Sequence, residues 1–438
     1  MEENADISSV AATQSDAGRS TSGENTRLRI QRAALELFWE KGYESTTTRD
    51  VAATLGVQQA SLYYHIKNKE ELLHGICYSA FMQMIQNAEA AVASGRDPLD
   101  RMRQVGKNHL RTILEYQKEF CVAIMECHAL SPAYRGQIED VWQRYKKLIF
   151  SVLDEAKADG TIRADVPNRY QYMALMSMLN WSTIWYRPGE ELDISRFDRI
   201  FSSMYFHGTA ISSPGRVWCQ EVAVRAAQPL ETSIVESLAV PVSETHATLL
   251  NAACTLFKRK GYFATSMREI ADLAGMQKAS AYYYIATKED LLYQISIAVL
   301  NHISGRVKAA LSGISSPGER VCVLITFHVV SLLQHQDWYA TANDEVHALS
   351  PARREEVVSL RNQYEALVRT TLEEAQSAGF LRKDIPAKFL GLGLLGMINL
   401  IYPWYQPAVD VTPVELGSIL SDIFFTGIAC SPAAALPA

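Results

Sequence analysis

Apolar positions recur along the chain at helical spacing: Ala33, Leu37 and Phe38, then Leu110, Ile113 and Leu114, then Leu148, Val152 and Ala156. Runs of strict apolar and polar alternation are absent, so the pattern predicts an all-α fold. Beyond residue 75, helices are expected at about 76–93, 99–117, 118–130, 132–158, 168–186 and 194–211. The longest apolar run, Phe389 to Tyr405, holds Asn399 and Pro403 and lacks basic flanks. It is shorter than the roughly 20 residues a membrane span needs. A buried or subunit-interface helix is expected there.

The pattern repeats. KGY at Lys41 to Tyr43 returns at Lys260 to Tyr262, ASLYYHI at Ala60 to Ile66 returns as ASAYYYI at Ala279 to Ile285, and HALSPA at His128 to Ala133 returns at His347 to Ala352. The offset is 219 in every case, and it also joins Asn180 with Asn399, Trp185-Tyr186 with Trp404-Tyr405, and Gly208 with Gly427. Between Thr26–Gly75 and Thr245–Gln294, 22 of 50 positions are identical. Two copies are too few for a solenoid, so the chain reads as a tandem fusion of two homologous units. The organisation expected is a disordered tail at 1–25, a first head at 26–75 and a first helical domain at 76–211. A linker at 212–243, with Pro214, Pro229 and Pro241, then leads to a second head at 244–294 and a second helical domain at 295–430.

Within each head the polar residues punctuate helices. Thr47 and Asp50 form a capping box ahead of TRDVAATL, Gly56 ends that helix, and QASLYYHI begins three residues later. Helix, a short turn containing Gly, then helix is the helix-turn-helix layout. Ser266, Glu269 and Gly275 repeat the devices in the second copy. A further helix is expected to open after Asn68 or Thr287, with Glu71 or Asp290 as the acid three residues on. That places Lys69 and Lys288 where backbone N–H groups and a cation can hold a phosphate together.

The run from Arg27 to Leu73 resembles the N-terminal DNA-binding domain of the TetR family of transcriptional repressors. The resemblance implies an all-α protein that dimerises through a larger helical domain, where a small ligand binds. It implies Arg49, Gln59 and Tyr63 at or beside base edges, and Thr48, Ser61, His65 and Lys69 at phosphates. Arg and Gln are also the side chains that pair bidentately with guanine and adenine. The second copy keeps Arg268, Ser280, Tyr282 and Lys288 but has Met267 for Thr48, Lys278 for Gln59 and Tyr284 for His65. Its base preference therefore need not match, and an imperfect palindrome is the expected operator. Tyr63 and Tyr64 cannot share one helix face; Tyr64 is assigned to the core and Tyr63 to DNA.

NWSTIWYRPG, Asn180 to Gly189, resembles the C-terminal domains of TetR-type regulators that respond to acyl-CoA thioesters in lipid and steroid breakdown. The resemblance makes Trp181, Trp185, Tyr186 and Arg187 candidate ligand contacts, with His128 of HALSPA added to them. A guanidinium there pairs with an anionic ligand group, and the second copy has Gln406 in place of Arg187. The alternative stays open: the aromatics are bundle core and Arg187 caps a helix C-terminus. His128 and His347 read equally as packed residues, with Ser131 and Ser350 as N-caps and Pro132 and Pro351 at the first helical position. Cys121, Cys127 and His128 lose both cysteines in the second copy, where Ala340 and Val346 stand, so they read as core and not as a metal site.

Seven cysteines without a CxxC pair exclude a disulfide scaffold and point to a reducing compartment, expected to be the cytoplasm. The N-terminus has no basic segment followed by an apolar one, so no secretory signal is expected. A net charge of −6 places any nucleic-acid contact on a local surface, although the first head itself balances seven Lys/Arg against six Asp/Glu. No nucleophile elbow, phosphate-cradling glycine loop or paired-carboxylate motif is present, so neither catalysis nor a cofactor is expected. The expected function is a repressor that binds double-stranded operator DNA and is released by a small molecule such as an acyl-CoA. Its two copies would pair through the helices at 168–211 and 387–430, as an internal pseudo-dimer or within a homodimer. An architectural DNA-binding protein whose helical domains are only scaffold is the competing reading.

Overall fold

The computed structural model describes residues 8–186, 193–211, 214–226, 234–238 and 243–427, with side chains from Asn25 onwards. Of the tail expected to be disordered at 1–25, residues 8–25 are instead the start of a helix that continues to Lys41, and only Asn25 has its side chain described. Among the described residues there are helices and no strands, which makes the chain all-α.

The first copy runs α1 (Ser8–Lys41), α2 (Thr48–Leu55), α3 (Gln59–Leu62), α4 (Lys69–Ser94), α5 (Pro98–Glu115), α6 (Gln117–Glu126), α7 (Pro132–Ala158), α8 (Asn168–Trp185) and α9 (Ile194–His207). After α10 (Gly215–Ala226), the second copy repeats the order: α11 (Glu244–Lys260), α12 (Met267–Leu273), α13 (Lys278–Tyr284), α14 (Lys288–Leu311), α15 (Pro317–Gln334), α16 (Gln336–Asp344), α17 (Pro351–Ser377), α18 (Ala387–Asn399) and α19 (Pro413–Thr426).

The chain divides into two compact units. One holds the described residues up to Gln83 with Tyr116–Gln143; the other holds Met84–Glu115 and the chain from Arg144 onwards. In the first unit α2 and α6 pack on α1. Ile30, Ala34, Phe38, Val51, Leu62 and Ile66 form its core, with the rings of Phe38 and Tyr43 edge to face at 5.2 Å.

In the second unit α8 packs along α18, and α9 packs on α18 and α19. The long apolar run is thus helical only as far as Asn399, where α18 ends, and no described helix is long and apolar enough to cross a membrane. Glycines permit the close approach: a Cβ at Gly396 would lie 3.1 Å from the Met178 backbone, and one at Gly393 would lie 2.5 Å from Met204 Cε. The last residues of the first copy are stitched to the second by backbone. Thr209 N and Ala210 N both donate to Phe425 O at 3.0 Å, and Arg382 N donates to Thr209 O at 2.8 Å.

The span read as a linker contains α10, which packs on α15 and α19 and buries Cys219, Val222 and Ala223. Trp218 adds ring contacts to Phe380 and Phe425 at 6.1 Å. Part of the connector therefore belongs to the second copy's core, because these apolar residues recur at helical spacing between Pro214 and Ala226.

Candidate functional site

The first head is built from short-range hydrogen bonds. Asp50 N donates to Thr47 Oγ1 at 3.2 Å, and Thr47 N donates to Asp50 Oδ2 at 2.8 Å. Lys41 donates to the same carboxylate at 2.9 Å and is the main reason that its pKa falls to about 2. Gly56, at φ +66°, turns the chain into α3. Across that turn Gln59 Nε2 donates to Thr48 Oγ1 at 2.8 Å, and Thr48 Oγ1 lies 3.1 Å from Tyr63 OH. Three of the expected DNA contacts thus form one bonded group bridging α2 and α3. Arg49 and Ser61 are exposed beside them, and His65 is half-buried.

Tyr64 is not a core residue. It is 88% exposed against 50% for Tyr63, and its counterpart Tyr283 is 86% exposed. Leu62 and Ile66, four apart, occupy the core face, so both tyrosines fall outside it. Tyr64 therefore lies exposed in the turn that follows α3, which adjacent aromatics in the sequence did not disclose.

Lys69 Nζ donates to Tyr43 O at 2.8 Å and sits 4.0 Å over the Tyr43 ring. Lys288 donates to Tyr262 O at 2.7 Å and Thr265 O at 2.8 Å. Burial lowers both pKa values. An ammonium has three N–H groups. With these bonds made, Lys69 retains two for an anion and Lys288 one.

The second head keeps the layout with a different surface. Met267, at the place of Thr48, is buried. Lys278 lies 5.8 Å over the Tyr282 ring, and Arg268 is exposed 3.8 Å from Asp272. Ser280 is exposed and Tyr284 half-buried. The polar Thr48–Gln59–Tyr63 group has no equivalent at Met267 and Lys278.

Each head is tied to its HALSPA turn by two carboxylates that the sequence reading missed. Glu126 Oε1 accepts from Tyr43 N at 3.0 Å, as Glu345 Oε1 does from Tyr262 N. Glu70 Oε1 accepts from Ser131 N at 2.6 Å, as Glu289 Oε1 does from Ser350 N at 2.9 Å. Acid side chains from α4 and α14 thus serve the starts of α7 and α17, and the Ser350 side chain makes no cap bond. His128 Nδ1 is engaged by Met125 O at 2.8 Å and His347 Nδ1 by Asp344 O at 2.9 Å, which is a local packing role. The signal in the sequence was the recurrence of all four acids at the 219 offset.

The aromatic candidates of the first sensing domain are placed among helices. Trp181 is buried on α8 against α18, where a Cβ on Gly396 would meet its own Cβ at 3.2 Å. Trp185 and Tyr186 contact the Phe197 ring of α9 at 5.1 and 5.9 Å. Arg187 lies outside the described residues, and His128 belongs to the other compact unit.

The same domain holds a buried polar triad that was also missed. His109 of α5 bonds through Nδ1 to Tyr145 OH at 2.6 Å and through Nε2 to Asn180 Oδ1 at 2.9 Å. Since Asn180 presents an oxygen, Nε2 donates and Nδ1 accepts, which fixes the neutral ring. The second copy has His328, Tyr364 and Asn399 at these positions, with His328 Nδ1 2.8 Å from Tyr364 OH. Burial moves the His109 pKa from 6.5 to about 4. The unfolded chain therefore binds the extra proton in that window, and stability contributed by the neutral ring is lost as pH falls from about 6.5 to about 4. His109→Gln is expected to flatten this acid slope by up to about 1.4 kcal/mol per pH unit in urea unfolding. An unchanged slope would show that the ring titrates freely.

Among the described residues no group of three metal-binding side chains is found. A family model described as "Bacterial regulatory proteins, tetR family" matches residues 30–76 and 249–295. One described as "Tetracyclin repressor-like, C-terminal domain" matches 95–209 and 315–428, which alone is more than half of the chain. The HTH-type transcriptional repressor KstR2 of Mycobacterium tuberculosis is 25% identical over 176 residues, 40% of this chain and 88% of that protein. The fatty acid metabolism regulator protein of Bacillus subtilis is 20% identical over 168 residues, 38% of this chain and 87% of that protein. Among solved structures, the regulator PfmR from Thermus thermophilus is 30% identical with a TM-score of 0.38, covering 40% of this chain and 96% of that one.

Proposed function

The chain belongs to the TetR family of bacterial regulatory proteins, and from that premise we propose that it is a ligand-responsive repressor carrying both operator-reading heads in one polypeptide. The observation that carries this reading is the bonded surface of Thr48, Gln59 and Tyr63, with Arg49 exposed beside it, on a head duplicated within the chain. Arg49 and Gln59 read bases, while Thr48, Ser61, His65 and Lys69 hold phosphates. In the second head Arg268, Lys278, Ser280, Tyr282, Tyr284 and Lys288 contact a different half-site.

Mutation separates these roles. Arg49→Ala is expected to cost about 1–3 kcal/mol on operator and to relax preference at one base position. Lys69→Ala weakens all sequences alike and lowers the salt slope by about one. Equal losses for Arg49→Ala on operator and random duplex would refute base reading. The same competition tests the architectural alternative, because a specific regulator binds its operator orders of magnitude more tightly than random DNA.

The effector is a partly apolar anion bound by the first sensing domain, and an acyl-CoA thioester is the leading class. The WYRPG motif supports it, as does the name of the fatty acid metabolism regulator among the relatives. A ligand releases DNA only if it binds the DNA-incompetent state more tightly. The carboxylate links from Tyr43 to Glu126 and from Ser131 to Glu70 join the head to α6 and the start of α7. Medium-chain acyl-CoA is expected to raise the melting temperature and displace operator, and Arg187→Ala to abolish both effects. Retention of both in that variant would remove Arg187 from the site.

A further inference from the structure

The bonded group of the first head limits what its glutamine can offer to a base. Gln59 Nε2 donates one N–H to Thr48 Oγ1 at 2.8 Å, and Thr48 Oγ1 lies 3.1 Å from Tyr63 OH. A primary amide carries two N–H groups and one carbonyl oxygen. With one N–H given to Thr48, Gln59 keeps one donor and one acceptor for the DNA. Thr48 accepts in this bond, so its own proton stays available for Tyr63 or for a phosphate oxygen.

In the second head Met267 and Lys278 stand at these two places. Met267 is buried and has no hydroxyl to give. Lys278 is exposed, with its ammonium 5.8 Å over the Tyr282 ring. An ammonium has three N–H donors and no acceptor. Arg49 and Arg268 are common to both heads, although Arg268 lies 3.8 Å from Asp272, where the first head has Ala53. The exchange of Thr48 and Gln59 for Met267 and Lys278 therefore replaces a donor and an acceptor with donors alone.

Adenine shows the major groove an N7 acceptor beside an N6 donor, whereas guanine shows two acceptors, N7 and O6. One N–H and one carbonyl match adenine, and against guanine the Gln59 carbonyl would face O6, a second acceptor. Three N–H groups match guanine and leave the N6 donor of adenine without a partner. Resting on the operator-reading role assigned above, we propose that Thr48 is a positioning residue that makes Gln59 select adenine over guanine in the first half-site, while Lys278 selects guanine in the second. An operator with unlike arms then receives the fused chain in one orientation only. Two identical subunits have no such polarity.

Selection from a random duplex library by the full chain, followed by titration of the selected duplex and its purine exchanges, tests the assignment. The selected site is expected to carry adenine in one arm and guanine at the matching position of the other, each preferred about tenfold over the other purine. Thr48→Val removes the acceptor and is expected to reduce the adenine preference to about twofold or less, with the guanine arm unchanged. Thr48→Ser restores the acceptor and with it the preference. Lys278→Gln is expected to abolish the guanine preference and to leave the adenine arm alone. The same purine in both arms of the wild-type site overturns the proposal. So does full adenine preference in Thr48→Val, or an effect of Thr48→Val and Lys278→Gln on the same arm. Should circular dichroism show Thr48→Val unfolded, the wild-type arms and Lys278→Gln decide. Recovery of no preferred duplex would overturn the operator-reading role and this inference with it, whereas like arms in a preferred duplex overturn this inference alone.

Discussion

Gly208→Ala is expected to lower the stability of the chain by about 3–5 kcal/mol and to part the two copies where they are stitched together. Gly208 has φ +70° and ψ −169°, a region that side chains avoid. A Cβ there would lie 2.2 Å from Phe425 O, and a backbone carbonyl cannot swing aside as a flexible side-chain end can. The same carbonyl accepts from Thr209 N and Ala210 N, so moving it breaks two further bonds. Gly427 mirrors the position, with φ +68° and a Cβ 2.4 Å from Phe206 O. Gly160→Ala is the control: its φ is +75° but nothing lies within 4 Å of the added carbon. That variant is expected to lose only about 1 kcal/mol. Equal losses in urea unfolding would show that backbone conformation, and not the contact between copies, sets the cost.

Asp422→Ala is expected to cost about 3 kcal/mol, the lower end for breaking a buried ion pair. Asp422 is 0% exposed and lies 2.7 Å from Arg163 Nη2 of the other copy. Arg163 retains Asp165 at 2.5 Å and Thr426 Oγ1 at 2.6 Å, which keeps the loss from being larger. The pseudo-symmetric contact is Arg382 Nη1 donating to Ser203 Oγ at 3.0 Å. Asp422→Ser copies that arrangement and is expected to lose less than Asp422→Ala. If serine and alanine lose the same amount, the hydrogen bond at this position contributes nothing.

The duplication, the helices and the caps of both heads were legible because each is a local signal. The Thr47–Asp50 and Ser266–Glu269 boxes lie three residues apart, and the 219 offset needs no structure to see. Tyr64 was misplaced because neighbouring tyrosines cannot be sorted by periodicity when the helix they follow is only four residues long. The pairs Arg163–Asp422 and Gly208–Phe425 were invisible because they join residues distant in sequence through contacts made only after the bundle has closed. The His109–Tyr145–Asn180 triad falls between these cases. Its three residue types recur at the offset, but only packing of α5, α7 and α8 shows that they bond to one another.

The pairing of α8 and α9 with α18 and α19 joins the two copies within one chain. Fusion of this kind frees dimerisation from concentration and lets two heads diverge, as Gln59 and Lys278 have done. Multi-angle light scattering of the DNA-free protein over a hundredfold dilution tests this most directly. Intramolecular pairing gives a single mass near 48.9 kDa at every concentration. A mass of about twice that value, stable on dilution, would contradict it.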